Sequence, residues 1–102
     1  MVNNAQEYIN RFNNKEKLAY LDLSEQELEG DTNLESFAKL TNINAYKNCF
    51  NSLNFLLTLP NKEKLKKLNF WGNKITNPSD ALILFDEFPN LESINLGGNP
   101  LD

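Results

Sequence analysis

Asp22, Asn44, Asn69 and Asn95 recur at spacings of 22, 25 and 26 residues. Tyr46 and Trp71 each stand two residues after one of these positions, and Tyr20 and Lys67 each stand two residues before one. Lys47 directly follows Tyr46. Rings, amides, a carboxylate and ammonium groups can stack, donate and accept, which is the chemistry of non-covalent recognition. They are poor material for bond-breaking. The chain has no histidine and a single cysteine, so Cys49 has no imidazole to activate it. Asp80, Asp86 and Glu87 fall on one stretch read as a helix, at spacings that do not pair two carboxylates in a pocket. "GGNP" lacks the lysine and spacing of a phosphate loop. No enzyme, cofactor or metal site is expected.

The elements that hold these residues must be small. With 102 residues, the chain is sized for one domain with a modest core. A net charge of −4 gives no general attraction to nucleic acid or to an anionic membrane. The lysines of "NKEKLKK" (Lys62, Lys64, Lys66, Lys67) are interrupted by Glu63 and read as a solvated loop. The longest apolar stretch, around "NFLLTL", is far short of a membrane span. Pro78 blocks glycosylation at Asn77. No charged start leads into an apolar run after Met1, and one cysteine cannot form an internal disulfide, so a reducing, cytoplasmic setting is expected.

Four segments align without gaps: "LAYLDLSEQEL" from Leu18, "LTNINAYKNCF" from Leu40, "LKKLNFWGNKI" from Leu65 and "LESINLGGNPL" from Leu91. Each is apolar at its first, fourth, sixth and eleventh places, and the ninth place reads Gln26, Asn48, Asn73 and Asn99. Places four and six alternate as in a strand, so Leu21/Leu23, Ile43/Ala45, Leu68/Phe70 and Ile94/Leu96 should share one face. One such strand cannot bury that face alone, whereas stacked copies form a parallel sheet with a continuous core. The pattern, L-x-x-L-x-L-x-x-N-x-L, resembles the leucine-rich repeat family over nearly everything after Leu18.

The resemblance implies an α/β solenoid, with a curved parallel sheet on the concave side and helices and turns on the convex side. It also implies that the ninth-place amide turns inward onto backbone groups. Gln26 departs by its longer stem from the asparagine of the other repeats, and Ala45 is smaller than the usual leucine, which calls for packing by neighbours such as Phe50 and Phe70. Between strands, "TNPSDALILFDEF" reads as a helix with Asn77 as N-cap and Pro78 at its first position. "NSLNFLLTLP" reads as a shorter helix stopped at Pro60, and "TNLESFAKL" as a turn or two.

The organisation expected is one domain over 1–102, with a capping helix in 1–17 and four repeats in 18–102. Asn4 and Glu7 have capping-box spacing, and Ala5, Ile9 and Phe12 fall on one helical face with Tyr8 beside it. No polar cap follows Leu101, so self-association through an uncapped carboxyl-terminal end is expected, or continuation into a longer protein.

Places three, five, seven and eight should face the concave solvent side. Trp71, out of step with Leu68 and Phe70, is thereby an outward residue one strand from Tyr46. The partner-binding set expected there is Tyr20, Asp22, Asn44, Tyr46, Lys47, Lys67, Asn69, Trp71 and Asn95, for a protein or peptide, with glycines 72, 97 and 98 leaving room beside the indole. The alternative is a structural or regulatory amino-terminal segment that packs on its own longer chain.

Overall fold

The structure, a computed structural model, describes residues 2–101. Three-residue strands form wherever places three to five of the repeat occur: β2 (Tyr20–Asp22), β4 (Asn42–Asn44), β5 (Lys67–Asn69) and β6 (Ser93–Asn95). Two further strands, β1 (Asn3–Asn4) and β3 (Leu28–Glu29), are two residues each. The helices are α1 (Ala5–Asn10) and α2 (Pro78–Glu87). The four longer strands pair in parallel, in the order β2-β4-β5-β6. Their register is Leu21↔Ile43↔Leu68↔Ile94, with no slip between any two strands. The gapless alignment of the repeats is therefore the hydrogen-bond register. The result is an α/β fold on a parallel sheet.

The core lies against one face of this sheet. Leu21, Leu23, Ile43, Ala45, Leu68 and Phe70 are fully buried, while Ile94 and Leu96 on the outer strand are half-buried. Ala45 is fully buried, and the aromatic side chains of the core meet one another. Phe50 stacks on Phe55 at 4.9 Å between centroids and meets Phe70 edge-on at 5.8 Å. Such pairs contribute about 0.5–1.5 kcal/mol beyond the area they bury.

The returns between strands differ in how well they begin. Asn77 is the N-cap of α2, its side chain accepting the Ser79 N–H at 2.9 Å, and Pro78 opens the helix. Asp80, only 7% exposed, also accepts the Leu53 N–H at 3.2 Å, which ties α2 to the preceding return. The stretch before Pro60 is a 3₁₀ helix, Asn54–Thr58, in place of the α-helix expected. Leu53 at its start makes no side-chain cap, and the Ser52 hydroxyl accepts the Asn54 N–H at 3.1 Å. The stretch 32–40 forms two turns, at 35–36 and 38–39, the first closed by the Phe37 N–H on the Leu34 carbonyl at 3.0 Å. "NKEKL" occurs twice, and both times it folds as a 3₁₀ turn, Lys15–Lys17 and Lys62–Lys64, not as open loop. In each turn the first lysine donates to a carbonyl three residues back, Lys15 to Phe12 and Lys62 to Leu59.

At the amino-terminal side α1 buries Ala5 and Ile9, and the Asn4 side chain accepts the Glu7 N–H at 3.0 Å. Phe12 lies past the end of this short helix and meets Tyr8 edge-on at 5.6 Å. β1 pairs in parallel with β3 in a separate two-stranded sheet that the periodicity does not announce. Among the described residues no helix is long and apolar enough to cross a membrane.

Candidate functional site

Each strand ends in the same exit turn, and three side-chain and backbone devices build it. The first is the ninth-place amide. Asn48 donates to the carbonyls of Leu23 and Ala45 (2.7 and 3.1 Å), while its oxygen accepts the N–H groups of Gln26 and Leu28 (3.1 and 3.0 Å). Asn73 donates to Ala45 and Phe70 (2.8 and 3.0 Å) and accepts from Phe50 (3.0 Å). Asn99 donates to Phe70 and Leu96 (both 2.9 Å) and accepts from Ile75 (3.0 Å). Every amide thus joins its own repeat to the one before it and satisfies polar groups that would otherwise be buried unpaired. Gln26 does not join this series. It is exposed, and its side chain donates to the Ser24 carbonyl at 3.2 Å. The Gln26 carbonyl instead receives the Asn3 side chain at 2.8 Å, so β1 takes over the bridging role at this edge.

The second device is at place five. The side-chain oxygens of Asp22, Asn44, Asn69 and Asn95 accept the N–H two residues on, from Ser24, Tyr46, Trp71 and Gly97, at 3.0–3.1 Å. These are Asx turns, and they hold the place-seven residue in position. The four were expected as partner-binding residues of the exposed face, not as turn formers. The signal for the turn was already present, since Asp and Asn are the residue types that make it. The third device is a left-handed residue at place eight in every repeat: Glu25 (φ 55°), Lys47 (54°), Gly72 (76°) and Gly98 (68°).

These turns hold the exposed aromatic pair. Tyr46 and Trp71 stack at 5.4 Å between centroids, inclined by 24°. The Lys47 ammonium lies 5.4 Å from the tyrosine centroid and 5.9 Å from the tryptophan's, within cation–π range. The glycines do not leave open room beside the indole. A Cβ on Gly97 would meet Trp71 Cδ1 at 2.8 Å and one on Gly98 would meet Cε2 at 3.1 Å, so the ring lies on the glycine backbone. Trp71 keeps 37% of its surface exposed, and Tyr20, at the far edge, keeps 51%.

No family model, curated protein or solved structure matches this chain. The site stands on its own geometry.

All nine residues of the expected set lie on the sheet face opposite the core or on its exits. Asp22, Lys47, Lys67 and Asn95 are exposed, and Asn44, Tyr46 and Asn69 are half-buried. Tyr20 meets the Asn44 amide at 3.4 Å, and between β2 and β6 the face is a shallow groove floored by Ile43 and Leu68. Cys49 is half-buried, and its N–H donates to the Leu28 carbonyl. Among the described residues no group of three or more His, Cys, Asp or Glu is arranged to hold a metal ion.

Proposed function

We propose that the chain is a leucine-rich repeat solenoid acting as a cytoplasmic protein-interaction module, which receives a protein or peptide on the concave face of its sheet. It is read as a non-enzymatic binder that needs no cofactor. The observation that carries this reading is the Tyr46–Trp71–Lys47 cluster. Two stacked rings and a cation project from exit turns made rigid by amide bridges and Asx turns, in the composition typical of interface hot spots. Rigid anchors lose little entropy on binding. Four strands at ~4.8 Å spacing span only about 14 Å. This is less than a standard interface of roughly 800 Å² per partner needs, so one copy should bind weakly.

The test is capture from a native cell extract with the wild type, Trp71→Ala, and Leu82→Ala as a control on α2. A partner lost with Trp71→Ala and kept with Leu82→Ala supports the reading; equal capture by all three refutes it. A second reading, a structural or regulatory segment packed on further repeats of a longer chain, is favoured by α2. Its Leu82 and Phe85 are 64% and 68% exposed.

A further inference from the structure

The Asx turns have a chemical consequence for the exposed face. The oxygens of Asn44, Asn69 and Asn95 are each committed to a backbone N–H. An amide held in this way has one oxygen lone pair engaged, while its NH₂ group is left to donate. The Asn44 NH₂ meets the Tyr20 hydroxyl at 3.4 Å, while those of Asn69 and Asn95 have no partner among the described residues. Lys67 stands beside Asn69 on β5, and Lys47 sits over the rings at the exit of β4. Neither lysine forms an ion pair among the described residues. Donors thus dominate from β4 to β6. The carboxylates lie at the β2 end, on Asp22 and Glu25, and that of Asp22 is drawn in by the Ser24 N–H and hydroxyl at 3.0 and 2.7 Å.

We propose that the occupant of this face is an acidic peptide segment, its Asp or Glu carboxylates on Lys67 and on the Asn69 and Asn95 amides, beside the Trp71 stack. The inference rests on the interaction reading above and names the chemistry of the partner. Asp22 and Glu25 hold the segment off β2 and so orient it. The net charge of −4 opposes approach, but charges beyond about 8 Å are screened at physiological salt, whereas contacts at hydrogen-bond distance are not. The local donors therefore decide.

Asp22 supplies the clean variant. It makes the same Asx turn with a carboxylate, so Asn69→Asp keeps the turn while replacing an outward donor by an acceptor. Labelled twelve-residue peptides of alternating Glu-Ser, Asn-Ser and Lys-Ser, and a single-stranded oligo-dT, are titrated against the full chain by fluorescence anisotropy at low and physiological salt. The Glu-Ser peptide should bind most tightly, weaken with salt, and lose roughly tenfold with Asn69→Asp and with Lys67→Glu. Equal binding of Glu-Ser and Asn-Ser that is lost with Trp71→Ala would overturn the acidic assignment and leave the interaction reading intact. Tighter binding of the Lys-Ser peptide or of oligo-dT would also overturn it. Peptides that all fail to bind overturn it alone if Trp71-dependent capture from extract succeeds. If capture fails too, both readings fall.

Discussion

Asn73 serves three backbone groups at once, on both sides of a repeat boundary, from a buried position. Asn73→Ala would leave those groups short of partners, and a loss of about 1–3 kcal/mol is expected in urea unfolding. Asn54→Ala, on an exposed side chain, should stay within about 0.5 kcal/mol. Equal losses would refute the bridging role. Place eight gives the opposite sign. Glu25 holds a left-handed conformation at φ 55° in the position that Gly72 and Gly98 fill elsewhere, and its side chain is exposed. Glu25→Gly should therefore raise stability by about 0.5–1 kcal/mol, measured in the same way. The amide at place nine was legible as a pattern, and its bonds follow from its chemistry. The left-handed turn was half legible: glycine marks it in two repeats, but Glu25 and Lys47 conceal it in the other two.

At the scale of elements, Asp80 shows how a return is anchored. Its carboxylate lies in the first turn of α2 and accepts the Leu53 N–H, so one side chain joins α2 to the start of the Asn54–Thr58 segment. Asp80→Ala should cost about 1–3 kcal/mol of thermal or urea stability, while exposed Asp86→Ala should cost little. The α2 boundaries were readable because Asn77 and Pro78 are strong start signals. The Asn54–Thr58 segment was not, because its apolar content is the same in a 3₁₀ or an α-helix. β1 and β3 were invisible for another reason. Two-residue strands reading "NN" and "LE" have no period, and their pairing is a tertiary event set by where α1 docks.

For the whole molecule, the two ends of the main sheet are unlike. Beyond β2 the Asn3 side chain of β1 donates to the Gln26 carbonyl and α1 buries Ala5 and Ile9, whereas among the described residues β6 pairs with β5 alone and carries half-buried Ile94 and Leu96. Exposed Phe85 and half-buried Leu91 continue that apolar surface. Unpaired strand edges beside apolar surface favour association. Sedimentation of this polypeptide across a micromolar concentration series should show a rising average mass, reduced by Phe85→Lys or Leu101→Lys. A constant monomer mass in all three would refute it.

Because strand order follows chain order, β2 and β6 sit at opposite edges of the sheet. Tension drawn between the two ends of the polypeptide would therefore pull across the strands, along their hydrogen bonds. Bonds loaded in that direction part in succession, like a zip, and never share the load as a sheared pair does. Each interval released would pay out a length of chain close to that between Leu40 and Leu65, 25 residues or roughly 80 Å when extended. Mechanically the molecule would act as a soft spring that yields in steps of similar length, with the asparagine bridges as its successive catches.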